Sequence, residues 1–523
     1  MLDNKYERIA GSAPRGLTPP ARTLPARTLP AKTLLAAVLV AALLGLGCSG
    51  GTLPQAGAPP VTVPDAWNGA ETDTQPTEAE LASWWSQLGD PVLDALVERT
   101  LAGNVDLETA VARVAEARAR RGLAKSDLGP SITANPTAAR TDPLGDTGRS
   151  NDSFSAGLDV AWEADLFGSK QLSLAASRAD LGAEIDNLRA AHVSLVAETA
   201  VAYTDLRVAE ARLQVIDETL ESREETSRLT DWREQAGLAS RLEVSQAESN
   251  LELARAGRPA TERIATDARL RLSLLAGLPP GSLDPLLSSS GGLSSGGGLS
   301  SSSSGTSKSS APIPTPPETL AVGIPADTLR QRPDVRAAEW RIEAAAARLG
   351  VAERGRYPTL RFSGSIEARS SDLDDLLDID SLVADLFAGL TAPIFESGRI
   401  EQNILIQTAQ WDQAVLAYRG TVLQALSEVE QALAAFHTSE ERIAFLGEAT
   451  RAAQEAADLA EQRYAAGLVD LLSVLETQRT VFTTREQLAI AQGELANAFS
   501  NLYRALGGGW QSQVAPDEGE THA

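Results

Sequence analysis

Few side chains in this 523-residue chain could carry chemistry. There is one cysteine, Cys48, and there are three histidines. A single cysteine cannot form an intrachain disulfide, and three histidines exclude a His-rich metal site. His192 and His437 fall in long helical stretches, away from any second ligand, and read as surface or inter-helix positions. No Ser/His/Asp pattern stands out. Gly507-Gly508-Gly509 lacks the lysine and the spacing of a phosphate loop and reads as a helix stop. The informative position is Cys48. Arg15, Arg22, Arg27 and Lys32 precede an apolar run from Thr33 to Gly47, which ends at that cysteine. A basic stretch, a short apolar stretch and small residues make an export signal, so residues 1–47 are set aside from the fold. Two readings of Cys48 stand side by side. It is a small apolar residue inside the signal, or it is acylated and begins the mature chain. The second reading explains why no other cysteine exists, although Gly45 stands where a leucine-like residue is usual. A lipidated N-terminus tethers a protein and spans nothing.

Charge narrows the partners. The chain has 46 Lys+Arg against 70 Asp+Glu, a net −24. Removing residues 1–47 takes away six cations and two anions, leaving a mature net charge of −28. Nucleic acid is excluded as a partner, because phosphate neutralisation needs an excess of Lys and Arg. Aromatic residues are only 4%, too few for a mainly β membrane protein with aromatic girdles. No run reaches the ~18 apolar residues of a membrane-spanning helix.

The rest of the chain is duplicated. Asn104–Ile132 matches Arg332–Leu360 at an offset of 228, with Asp106 on Asp334, Ala110 on Ala338 and Pro130 on Pro358. Arg233–Glu248 matches Arg463–Gln478 at an offset of 230, with Gly237 on Gly467 and Val244 on Val474. The repeats are placed at 91–286 and 318–508. Between them, residues 287–317 form a Gly/Ser/Pro-rich connector whose Ser288–Ser310 tract cannot pack a core. Residues 509–523 are a tail.

Each repeat has the same order of elements. A helix comes first, with Val335, Ala338, Ile342, Ala345, Leu349 and Ala352 spaced alternately three and four. Two alternating segments follow, expected as strands near 131–140 and 153–163 in the first repeat, and near 359–369 and 384–395 in the second. Leu360, Phe362, Gly364, Ile366 and Ala368 share one face, while Arg361, Ser363, Ser365, Glu367 and Arg369 share the other. Long helical limbs follow, broken at the Ala-Gly-Leu turns at 236–238 and 466–468. The limb from about Gly168 to Gln235 would be ~100 Å long and cannot bury itself, so it needs coiled-coil neighbours. The return limb shows the seam. Val474, Val481, Leu488, Leu495 and Leu502 recur every seven residues, and Thr477, Thr484, Ala491, Ala498 and Ala505 sit three further on.

Four strands of about ten residues per chain are the right length to cross a bilayer, but they cannot close a barrel. If they face lipid, several copies must contribute, and three would give twelve strands. The alternative is a soluble four-stranded sheet capping a helical bundle. Export and a lipid anchor favour the membrane.

Five segments together carry a specific resemblance: Trp162–Ser169 (WEADLFGS), Leu329–Ile342, Ala392–Ile400 (APIFESGRI), Arg463–Arg479 and Leu502–Trp510. From about Cys48 to Trp510 the chain resembles the outer-membrane efflux protein family, TolC-like, and within it the NodT-like lipoprotein branch that serves RND-type multidrug pumps. Ser49 after the cysteine resembles the outer-membrane address of lipoproteins. The Ser288–Ser310 tract departs from the family as an insertion. The resemblance implies a mainly α fold with a membrane β part. An internally duplicated protomer with long coiled-coil helices and four strands forms a homotrimer. That trimer makes a 12-stranded outer-membrane β-barrel continued by a periplasmic α-helical barrel. Residues 48–90 then form a lipid-anchored segment and equatorial belt, where Trp84 and Trp85 pack. Such a protein is no enzyme and needs no cofactor beyond the lipid on Cys48. It is a passive duct that meets outer-membrane lipid, a periplasmic adaptor and an inner-membrane RND-type transporter.

The resemblance also implies a gate. The turns lie at the periplasmic tip, so Gly237, Leu238, Gly467 and Leu468 would contact the adaptor. The family closes its aperture with acids on the inner helix. Aligned on Tyr464 and Gly467, one acid falls on Glu476 and the other on Ser473, a departure for which Asp470 substitutes. The first-repeat acid falls on Glu243. The usual arginine partner falls on Val469, so Arg241 is left to pair with Asp470 or Glu476. Acids repeated around one axis make a negative ring. Two other functions remain open: the exit channel of a type I protein secretion system, and a structural periplasmic coiled-coil lipoprotein without a barrel.

Overall fold

The computed structural model describes residues 61–67, 77–142, 150–288, 311–317, 320–323, 325–378 and 382–510. All belong to the unit Thr52–Ala523. The export signal, Cys48, most of the connector and residues 511–523 lie outside the described residues.

The elements come in two matching series. The first is α1 (Pro91–Gly103), α2 (Val105–Ser126), β1 (Ser131–Ala134), β2 (Thr137–Thr141), β3 (Asn151–Ala164), α3 (Ser169–Gln235) and α4 (Arg241–Leu275). The second is α5 (Pro333–Arg354), β4 (Thr359–Ser370), β5 (Leu382–Thr391), α6 (Arg399–Ala465) and α7 (Leu471–Ala505). Short helices at Glu78–Ala82, Asp284–Ser288 and Pro325–Gln331 connect them. Helices α2 and α5 both have 22 residues, α3 and α6 both 67, α4 and α7 both 35. Their starting positions keep the offsets of 228 and 230 found in the sequence. Local chemistry sets the starts. Asp90 caps α1 just ahead of Pro91, whose fixed φ suits the first helical position. The Asn104 side chain accepts from the Leu107 amide at 2.8 Å and caps α2.

The 67-residue helices span about 100 Å each at 1.5 Å per residue, and neighbours supply their burial. Helix α3 packs on α2 and α5 and, further along, on α4 and α7; α6 packs on α5 and α7. All ten seam residues of α7 are buried or half-buried. Gly493 marks the tightest crossing, since a Cβ there would run into the Val208 side chain of α3. The main core lies at mid-length, where Trp84 is fully buried, stacked on Tyr503 at 5.7 Å and surrounded by Leu93, Tyr203, Phe436 and Phe499.

The sheet is antiparallel in the order β1/β2–β3–β4–β5, with β1 and β2 both on β3. Two strand expectations need correction. The strand expected at 131–140 is assigned in two pieces because Pro136 lies within it, yet Ala134 opposite Leu158 and Thr137 opposite Ser155 keep one register. The strand expected at 384–395 runs instead from Leu382 to Thr391. Pro393 has no N–H to continue the ladder, and Ile394 and Phe395 lie beyond the strand, almost fully exposed.

Candidate functional site: the helical tips and the strand wall

Two hairpin turns form the far end of the limbs. At each, the glycine takes a left-handed conformation, with φ of 73° at Gly237 and 75° at Gly467, a region that costs a side-chain-bearing residue. Leu238 N–H donates to the Arg233 carbonyl at 2.7 Å, and Leu468 N–H to the Arg463 carbonyl at 2.8 Å. This bond closes the last turn of α3 and of α6. Leu238 and Leu468 are left 70% and 74% exposed, so none of the described residues covers them.

The chemistry of the two turns then diverges. In the first, Ser240 and Glu243 form a capping box: the Glu243 carboxylate accepts from the Ser240 amide at 2.6 Å. In the second, Asp470 is the cap of α7 and accepts from the Ser473 amide at 3.2 Å and hydroxyl at 2.6 Å. The Ser473 hydroxyl, and then its amide, hold the Asp470 carboxyl below the usual range. Glu476 lies one turn on, exposed. Its side chain and that of Arg241, also exposed, have no partner among the described residues. The structure therefore does not join Arg241 to Asp470 or Glu476 within one chain. Val469 packs against the apolar interior of the tip.

Tyr464 is not at the surface. It is 2% exposed, inside a cluster with Ala247, Ala460, Leu471, Val474 and Leu475. The Arg233 guanidinium sits 4.6 Å from its ring centre and donates to its backbone carbonyl at 2.8 Å. This pair ties α3 to α6 at the tip. Sequence reasoning aligned Arg233 with Arg463 and missed this difference, since Arg463 is exposed while Arg233 is half-buried. It also missed Gln478. Buried in the seam, Gln478 donates to Thr226 Oγ1 and Glu461 Oε1, each at 2.8 Å. A glutamine beside the heptad position Thr477 was the available signal.

At the other end, the sheet has two unlike faces. Ile132, Leu158, Val160, Trp162, Phe362, Ile366, Leu386 and Leu390 share one face by register. Leu386 is 86% exposed and Ile132 66%, so this apolar face lies bare. Trp162 and Phe362 stack at 5.7 Å at its helix-side end, and Trp162 Nε1 donates to the Leu128 carbonyl. Arg140, beside Asp152, marks the opposite end. From Asp152 to Trp162 the strand runs about 34 Å before tilt, enough for a lipid band of ~25 Å. The other face carries Thr133, Asp159, Glu163, Arg361, Ser363, Ser365 and Asp385, with Phe387 as its bulky aromatic.

The comparisons with known proteins match this geometry. The family model described as "Outer membrane efflux protein" matches residues 96–278 and 324–508. The chain belongs to the outer membrane efflux protein family. It is similar to the outer membrane protein OprJ of Pseudomonas aeruginosa, 31% identical over 86% of this chain and 91% of that one. It is also similar to the pyoverdine export outer membrane protein OpmQ of the same species, 30% identical over 83% and 89%. Among solved structures, the outer-membrane channel OprN superposes with a TM-score of 0.75 at 30% identity, over 87% of this chain and 99% of that one. The open-state MtrE outer membrane channel of Neisseria gonorrhoeae superposes with a TM-score of 0.76 at 28% identity, over 88% and 98%. As an outer membrane efflux protein, the chain is an outer-membrane channel component. Its mainly α, duplicated fold has a membrane β part whose bare apolar face meets lipid and whose polar face lines the channel. The long helices make its periplasmic extension.

Proposed function

We propose that this chain is the passive exit duct of a tripartite, RND-type efflux system, carrying drugs or other small molecules from the periplasm to the exterior without catalysing a reaction. The observation that carries this reading is the sheet: among the described residues it has four strands, counting β1 and β2 as one, with a bare apolar face and two free edges. Open edges are not tolerated in lipid. Three copies supply twelve strands and close the barrel. Helices α4 and α6 also leave apolar side chains bare, with Leu253 69% and Phe445 75% exposed, as lateral contacts between copies require. Relatives named for pyoverdine, antibiotic and toluene efflux support small organic cargo.

The gate is proposed at the tips. Glu476, Asp470 and Glu243, repeated three times around one axis, form a negative constriction, and Arg241 pairs across the subunit boundary. Support comes from the side chains of Glu476 and Arg241, both exposed and unpaired among the described residues of one chain. Tyr464 acts from beneath, as the buried support of the second turn. Gly237, Leu238, Gly467 and Leu468 meet the adaptor, whose binding energy opens contacts that are individually weak. The lipid on Cys48 tethers the N-terminus.

Reconstitution in planar bilayers tests the reading. The native chain is expected to give small, long-lived conductance steps, and the variant Asp470→Asn/Glu476→Gln larger ones. Equal conductance in the two removes the gate, and a native chain that leaves bilayers impermeable removes the duct. Intact mass of the exported protein tests the anchor: Cys48→Ala should lose the mass of the acyl groups.

A further inference from the structure

The sheet edge formed by β1 and β2 holds a proline whose position has a consequence for assembly. Pro136 stands between the two strand pieces, yet the register against β3 does not slip. The neighbouring residue explains this. Asn135 N–H donates to the Gly157 carbonyl at 3.0 Å, so these two form a hydrogen-bonded pair with β3. In an antiparallel ladder such pairs alternate with non-bonded ones. The backbone groups of Thr133, Asn135, Thr137 and Ala139 therefore face β3. Those of Ile132, Ala134, Pro136, Ala138 and Arg140 face the free edge. Pro136 removes nothing from the protomer's own sheet. It removes one donor from the edge.

What covers that edge is a second copy of this chain. Strand directions alternate across the sheet, and β5 lies at its opposite border with its outer edge unpaired among the described residues. With an even number of strands, β5 of one copy meets β1/β2 of the next antiparallel. The even-numbered side chains of this edge share the apolar face, Ile132 opposite Val160 and Ala138 opposite Phe154. The gap at Pro136 thus lies within the lipid-facing part of the strand, where water cannot satisfy the orphaned carbonyl of the partner strand.

We propose that each subunit seam of the barrel lacks one ladder hydrogen bond at Pro136, three per trimer, making the seams the weakest lines of the barrel. The same proline blunts the edge of a lone protomer against unwanted strand pairing. The inference rests on the trimeric barrel proposed above.

The test uses the full-length chain extracted in mild detergent, with trimers followed on gels by their resistance to heat. Pro136→Val restores an N–H on a lipid-facing strand position and should raise the dissociation temperature by a few degrees, with Pro136→Ala giving a smaller rise. Ala138→Pro removes a second edge-facing donor and should lower that temperature while leaving amide exchange along β3 unchanged. Ala139→Pro, one residue on, removes a donor that faces β3 and should speed exchange there. Trimers whose dissociation ignores both Pro136 variants, or an Ala138→Pro variant that behaves as Ala139→Pro does, would overturn the seam alone. A native chain that never trimerises would overturn the barrel, and the seam with it.

Discussion

Helices α4 and α7 are one element made twice. Each has 35 residues, follows an Ala-Gly-Leu turn and starts 230 residues from its counterpart. Their surroundings differ. Helix α7 is packed against both α3 and α6, whereas α4 lies mainly against α3. The sequence records the difference residue by residue. Gly493 of α7, pressed on Val208, corresponds to Arg263 of α4, exposed and paired with Asp267 at 2.8 Å. Buried Ala489 corresponds to exposed Pro259, which α4 carries inside the helix at the loss of one backbone bond. Duplication preserved the backbone, while position in the protomer decided the side chains. Helix α7 is enclosed from two sides within the protomer, and α4 lies at its border with apolar side chains such as Leu253 bare.

The comparison can be broken by exchanging its members. Gly493→Arg, which copies the first repeat into the second, should cost about 3 kcal/mol or more, because it overpacks the α3 contact and buries a charge. Thermal unfolding followed by helical circular dichroism would register it as a large drop. The converse, Arg263→Gly, should cost only about 1 kcal/mol, the penalty of glycine in an exposed helix. Equal losses at the two positions would mean that the two helices have equivalent surroundings. A smaller effect is expected at the open faces. Leu253→Asp on α4 and Phe445→Asp on α6 should leave the protomer's stability within ~0.5 kcal/mol. Each should shift the chain from trimer to monomer in light scattering, since about 1.5–3 kcal/mol of apolar burial is lost at every interface. A trimer that tolerates both substitutions would place the boundary elsewhere.

The smallest effect separates the two turns by pH. The folded Asp470 carboxyl lies below its ordinary value. Its contribution is therefore present above the unfolded pKa, near 3.9, and is lost as pH falls through the folded one. Helical content near the second turn should decline in that acidic window, and Asp470→Asn should remove this part of the pH dependence. A variant with the native acid profile would show that the cap does not govern the turn.

Periodicity makes most of the fold legible in the sequence. The offsets of 228 and 230 reappear as equal helix lengths, and the heptads of α7 mark its buried side. The two-faced strands were readable because alternation is a property of local sequence. What could not be read depended on partners remote in sequence. Tyr464 sits beside the turn and serves in the sequence only to align the gate, but its ring is enclosed by α4 and α7 and held by Arg233, 231 positions away. Glu243 and Asp470 are expected as gate acids, and the structure adds that each closes the start of a helix. The end of β5 was misplaced because Ile394 and Phe395 suit a strand by composition, whereas the backbone of Pro393 decides where the ladder stops.

The pairing of β3 with β4 sets a timetable for export. These strands lie side by side, Asp159 opposite Ser365, yet roughly 200 residues of chain separate them. While the first half alone has crossed the inner membrane, β3 can pair with β1 and β2, but the wall cannot extend to β4 and β5. Until the second half arrives, β3 must travel with one edge of its ladder unfilled.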